Sequence, residues 1–111
     1  MESTHALLAL AALAQPTRLD VVRSLVRVAP DGLAAGVLAE RLVVPANTLS
    51  AHLNVLSHAG LVVSERSSRS IVYRVSLDRL RGLILFLLED CCAGRAELCE
   101  PLLADLAVCR A

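Results

Sequence analysis

The chain carries four cysteines, Cys91, Cys92, Cys99 and Cys109, and all of them fall in the last fifth of its 111 residues. In a reducing compartment such clustering points to metal or redox chemistry before structural disulfides. No CxxC spacing occurs, so neither a zinc ribbon nor a thioredoxin-type site is indicated. Adjacent cysteines project about 100° apart on an ideal helix, so Cys91 and Cys92 can share one guest only where a helix ends or unwinds. Gly94 permits that, and the six residues between Cys92 and Cys99 let the chain fold back. Three sulfurs can then surround one soft, thiophilic centre. Trivalent arsenic prefers a pyramid of three thiolates, and neutral arsenous acid needs no electrostatic help to enter. Glu89, Asp90, Glu97 and Glu100 disfavour free thiolates, yet the same acids would assist a divalent cation, so charge alone does not choose the guest. Disulfide formation among the same thiols is a third use. Cys109 reads as a spare or as a small buried apolar residue.

A second constellation lies in the middle of the chain. Leu49, Leu53 and Leu56 repeat at helical spacing and define a buried face between Ala46 and Ala59. Asn47, Ser50, Ala51 and Asn54 fall on the other side, flanked by Thr48 and His52. Short polar side chains on the N-terminal half of a helix suit a major groove, where they reach base edges and phosphates. Arg66 and Arg69 stand beside a polar tip, Ser67-Ser68-Arg69-Ser70, and can reach phosphates or the minor groove. His5 and His58 read as surface or packing residues. No nucleophile–base pair or phosphate loop is visible, so neither enzymatic activity nor an organic cofactor is expected.

The elements that must position these groups can be read from periodicity and punctuation. Ser3 or Thr4 is expected to cap a helix running to about Ala14, apolar nearly all round and so buried on more than one side. Pro16 suits the first position of a second helix, with Leu19, Val22, Leu25 and Val26 as its inner face and an end near Val28. Pro30-Asp31-Gly32 is a turn. Ala34 to Leu42 is a short helix, broken by Val43-Val44-Pro45. Gly60 is placed to close the Ala46–Ala59 helix. The period then changes from helical to alternating, and Leu61–Arg66 and Ile71–Val75 read as two strands of a hairpin. Ser76 or Asp78 starts a fifth helix, apolar through Leu83–Leu88 and ending near Cys91-Cys92. Glu100-Pro101 opens a last short helix with Leu102, Leu103 and Leu106.

Composition agrees with a mainly helical domain. Leucine (23) and alanine (17) dominate, and aromatic residues make up 2% of the chain. Its apolar share is 56%, high for a chain this short, and the excess implies a partner subunit. All 11 basic residues are arginine, balanced by 11 acids. Residues 1–81 hold nine arginines against six acids, a net +3, while residues 82–111 hold two against five, a net −3. The front therefore suits a polyanion and the tail does not. Ala6–Ala14 lacks the basic flank of a signal peptide, and Gly82–Leu88 is too short to span a bilayer, so a cytoplasmic protein with no membrane partner is expected.

Helix, three-residue break, helix, then hairpin is the order of a winged helix-turn-helix. Four segments extend the likeness: Ala14-Gln15-Pro16-Thr17-Arg18-Leu19, Leu38-Ala39-Glu40-Arg41-Leu42, Asn47-Thr48-Leu49-Ser50-Ala51-His52-Leu53 and His58-Ala59-Gly60-Leu61-Val62. As a set, over about residues 6–88, they resemble the ArsR/SmtB family of bacterial repressors. The resemblance implies a mainly α fold with a β-hairpin wing, homodimeric through residues about 5–14 and 77–90, that represses transcription from operator DNA. It implies DNA contacts at Asn47, Thr48, Ser50 and His52, and at the wing residues Arg66 and Arg69. Ala51 departs from the pattern, standing where a basic residue is common, and the wing tip has serine where glycine is usual.

Sensor sites in that family occupy several places. The metal box of the third helix carries cysteines, whereas Gly32-Leu33-Ala34-Ala35-Gly36 has none. The zinc-type site of the last helix needs Asp/His pairs, and this helix has no histidine. The remaining likeness is to arsenic-responsive members, with a vicinal pair at the end of the last long helix and a third cysteine shortly after. The resemblance thus implies a DNA-binding and dimerisation domain over residues 1–90 and a sensor segment over 91–111. Cys91, Cys92 and Cys99 would then bind trivalent arsenic, or antimony, as inducer. A methylarsenite-selective site and a thiol-redox switch are the alternatives on the same fold.

Overall fold

The computed structural model describes residues 1–91, 100–101 and 104–106. The side chains of Asp90 and Cys91, and the whole of Cys92, Cys99 and Cys109, lie outside the described residues. Within them the chain folds as α1 (Ser3–Leu13), α2 (Pro16–Val28), β1 (Leu33–Ala34), α3 (Ala35–Leu42), α4 (Ala46–His58), β2 (Val62–Ser67), β3 (Ser70–Val75) and α5 (Leu77–Cys91). Residues 100–101 and 104–106 are also helical. No described helix is long and apolar enough to cross a membrane.

Helix starts follow local chemistry, with one correction. Pro16 occupies the first turn of α2, where its missing N–H costs nothing, and Gln15 caps the helix by accepting from the Arg18 amide at 2.8 Å. Ser76 does the same for α5, its Oγ accepting from the Arg79 amide at 3.3 Å. For α1 the expected Ser3 or Thr4 cap is not made. Ser3 is already helical and the N-cap is Glu2, without a side-chain cap hydrogen bond.

The core gathers Val21, Val22 and Leu25 of α2, Leu38 of α3, Leu49, Leu53 and Leu56 of α4, Leu61 and Val62 at the start of the hairpin, and Leu83 of α5. Two residues expected to face it do not. Leu19 and Val26 remain over 40% exposed, because α2 turns Val21 inward in their place. The helix is rotated by a fraction of a turn from the face that its leucines suggested.

The expectation for α1 is corrected more sharply. It is buried on one side only, through Ala6, Ala9 and Ala12, while Leu7, Leu8 and Leu10 face outward. Small alanines let α1 lie close against α2, α4 and α5, and the large side chains are left without cover. On α5 the same split places Leu83 inside and leaves Ile84, Leu85 and Leu87 exposed.

The sheet has three strands in the order β1-β3-β2, all antiparallel. β1 was not anticipated. Residue Ala34, expected to begin a helix, instead pairs with Val72, and Leu33 pairs with Tyr73. Gly32 allows this approach, since a Cβ there would collide with the Tyr73 carbonyl and sit 2.6 Å from Arg74 Cγ. The β2–β3 register runs from Val62 opposite Val75 to Ser67 opposite Ser70, one residue beyond the expected strand ends at the tip.

Candidate nucleic-acid interface

The turn between α3 and α4 fixes the geometry of the presenting helix. Val43 ends α3 in the left-handed region, at φ 53° and ψ 51°, and is 88% exposed. Its amide donates to the Glu40 carbonyl at 3.3 Å and that of Val44 to the Ala39 carbonyl at 3.1 Å, which closes two carbonyls of the last turn of α3. Pro45 then serves as N-cap of α4, its fixed φ of −58° aiming the chain into the new helix, and its carbonyl accepts from the Leu49 amide at 2.9 Å. At the other end Gly60 adopts φ +77°, and the Leu61 amide reaches back to the Leu56 carbonyl at 3.0 Å. The helix is thus closed at both ends by backbone chemistry legible in the residue types.

Between those ends, Leu49, Leu53 and Leu56 are at most 1% exposed and pin α4 to the core. Asn47, Thr48, Ser50, Ala51 and Asn54 are all exposed. Asn47 has part of its capacity engaged locally, since its Oδ1 accepts from the Thr48 amide at 3.0 Å. Its amide NH2 keeps both donors available. His52 differs from its neighbours. It is half-buried at the edge of the polar row, with Nδ1 3.4 Å from Nη1 of Arg18 on α2. That contact was not anticipated. It joins residues 34 apart in the chain, and no spacing rule signals it.

The β2–β3 hairpin projects as a wing. Its turn is the two-residue pair Ser68-Arg69, and Ser68 itself takes the positive φ of 54° that would suit glycine. Arg66 and Arg69 are exposed. Glu65 is drawn into an ion pair with Arg74 across the hairpin, Oε2 to Nη2 at 3.4 Å. Such an exposed pair contributes little stability. Its effect is to neutralise the one acid on the wing and leave the tip positive.

The arrangement therefore presents an exposed polar helix face and a basic hairpin, with every residue singled out for DNA contact at the surface or at its edge. The thiol constellation stands differently. Cys91 is the last described residue of α5, and the grouping of Cys91 with Cys92 and Cys99 lies outside the described residues. Among the described residues, no cluster of three or more His, Cys, Asp or Glu can hold a metal ion. His5 and His58 are both exposed and stand apart from any such cluster.

Comparison with known proteins adds independent findings. A family model described as a helix-turn-helix domain matches residues 13–65, which run from the end of α1 into the wing. The HTH-type transcriptional repressor SmtB of Mycobacterium tuberculosis is 36% identical over 76 residues, covering 68% of this chain and 54% of the relative. The chain thus spans about half the length of the curated relatives it matches. An ArsR-like transcriptional regulator from Rhodococcus sp. RHA1 superposes with a TM-score of 0.71 at 28% identity, covering 95% of this chain and 92% of that one. The homodimeric winged helix-turn-helix DNA-binding domain Mb0332 of Mycobacterium bovis gives a TM-score of 0.65 at 24% identity, over 81% of this chain and 82% of its own. That last likeness is one of fold.

Proposed function

We propose that the chain is a homodimeric, cytoplasmic repressor of the ArsR/SmtB family of winged-helix transcriptional regulators, to which it is similar, and that it leaves its operator when trivalent arsenic binds Cys91, Cys92 and Cys99. One observation carries the dimer: α1 turns its alanines inward and its leucines outward. A monomer gains nothing from that orientation, because burying leucine removes more apolar surface from water than burying alanine. A second copy covering Leu7, Leu8 and Leu10, together with Ile84, Leu85 and Leu87 of α5, makes it favourable. Two-fold symmetry would then present two α4 helices to successive major grooves. Asn47, Thr48, Ser50 and His52 would face bases and phosphates there, and Arg66 and Arg69 would reach the backbone beside them.

The inducer reading rests on the four thiols of the sequence and on where α5 leads. That helix contributes its exposed face to the proposed dimer and is followed through Cys91. A guest gathered by Cys91, Cys92 and Cys99 would act on the end of the same helix. Residues 91–111 are accordingly the sensor segment, and residues 1–90 bind DNA and dimerise. A coupling of ~1–3 kcal/mol between the two sites would lower operator affinity about 5–150-fold.

A gel-shift titration with arsenite, run on the wild type and on Cys91→Ser, tests the site. Release of the wild type alone is expected. Equal release from both proteins would refute the three-thiol site, and release by peroxide but not by arsenite would replace the metalloid with thiol oxidation.

A further inference from the structure

Three contacts converge on Arg18. Its amide donates to Gln15 Oε1 at 2.8 Å, its Nε–H donates to the Ala12 carbonyl at 2.6 Å, and its Nη1 lies 3.4 Å from His52 Nδ1. Ala12 lies in the last turn of α1, Arg18 in the first turn of α2 and His52 in the middle of α4. A single half-buried guanidinium therefore spans the helix whose leucines lack cover and the helix that carries the exposed polar row.

The chemistry of the contact has a consequence for the imidazole. Arginine stays protonated and has donors only. The nitrogen facing it must accept, so Nδ1 holds the lone pair and Nε2 holds the proton. His52 is then a donor at Nε2, and it lies one helical turn after Thr48 on the flank of the polar row. DNA offers acceptors of matching chemistry, the phosphate oxygens and the N7 and O6 atoms of purine edges.

We propose that Arg18 is a positioning residue for DNA recognition: it holds His52 as an Nε2–H donor toward an acceptor on the duplex and ties that placement to the C-terminal end of α1. This deepens the repressor reading and rests on it. Arg18 need not touch DNA. Its work is to fix one tautomer and one ring orientation, and to transmit any shift of α1 to α4 through a connection two contacts long.

The test combines DNA affinity with a signature that a merely structural role would leave unmoved. The probe is a fluorescein-labelled duplex enriched from a random-sequence library by the wild-type chain, with an unselected duplex as control. Long-range nitrogen–proton NMR should show His52 with Nε2 protonated and Nδ1 as acceptor in the wild type, and averaged between tautomers in Arg18→Leu. His52→Asn keeps an acceptor near the Nδ1 position but loses the Nε2 donor. It should melt like the wild type and bind the selected duplex about tenfold more weakly, the value of roughly one hydrogen bond. Loss confined to the selected duplex identifies a base acceptor, and equal loss on both duplexes identifies a phosphate. Arg18→Leu combined with His52→Asn should weaken binding no further than either change alone. Additive losses, an unchanged tautomer in Arg18→Leu, or wild-type affinity in His52→Asn would overturn the proposal while leaving the repressor intact. If the wild type enriches no duplex, the repressor reading itself fails.

Discussion

Replacing Leu85 by glutamate should separate the protomers without unfolding them. Leu85 is 55% exposed in the single chain, the largest exposed fraction among the apolar residues of α5 that face outward. Complete burial of a leucine side chain is worth ~1.5–3 kcal/mol, so covering the exposed half contributes about 1–1.5 kcal/mol per protomer. Two-fold symmetry doubles this to about 2–3 kcal/mol per dimer. Leu7, Leu8 and Leu10 of α1 with Ile84, Leu85 and Leu87 of α5 are between 38% and 66% exposed and together equal about three whole aliphatic side chains. Their burial gives a gross gain of roughly 9–18 kcal/mol per dimer, against an association cost of ~4–15 kcal/mol. A dimer with that balance cannot absorb the loss of two leucines and the burial of two unpaired carboxylates, each of which costs several kcal/mol more. Leu85→Glu should therefore weaken dimerisation by at least a factor of ~1,000, and Leu85→Ala by about 10- to 100-fold. Sedimentation velocity at micromolar concentration is the assay. The wild type should run at twice the 11.8 kDa chain mass and the Glu variant at the chain mass itself. The circular dichroism of both should match, since an outward residue contributes little to the monomer fold. A wild type that stays monomeric, or a Glu variant that stays dimeric, would refute the assignment of this face.

Two further outcomes follow from single residues. Val43 is β-branched, left-handed and 88% exposed, so its side chain adds strain without packing in return. Val43→Gly should stabilise the fold by about 0.5–1 kcal/mol after glycine's own entropy cost, and a drop in Tm on thermal denaturation would show the left-handed turn to be unstrained. Arg69→Ala at the wing tip should weaken binding to selected and unselected duplexes alike and reduce the slope of log affinity against log salt by about one, measured by fluorescence anisotropy. An unchanged slope would remove the wing tip from the phosphate contacts.

Much of the helix-turn-helix and its wing was legible in the sequence because they are built from local rules. Leu49, Leu53 and Leu56 recur at the period of one helix face, Pro45 and Gly60 mark the ends of that helix, and the change from helical to alternating periodicity marks the wing. Each signal spans only a few residues and needs no knowledge of the rest of the fold. The thiol grouping of Cys91, Cys92 and Cys99 is an expectation from residue type, spacing and the family resemblance together, and it lies outside the described residues.

Tertiary packing decided what periodicity leaves open. An apolar face fixes a helix's inner side only when one side is apolar, and α1 is apolar on both. The close approach of α2, α4 and α5 selected its alanines and left its leucines outside. Leu19 and Val26 lost their expected burial because the core fixed the rotation of α2 about its axis. β1 exists because Gly32 lets residues 33–34 reach a strand about 40 positions away. The Arg18–His52 contact arises the same way, from the end of α1, the start of α2 and the middle of α4 meeting at one guanidinium. Local chemistry chooses the elements and their ends, whereas partners far apart in the chain are chosen by the shape of the packed whole.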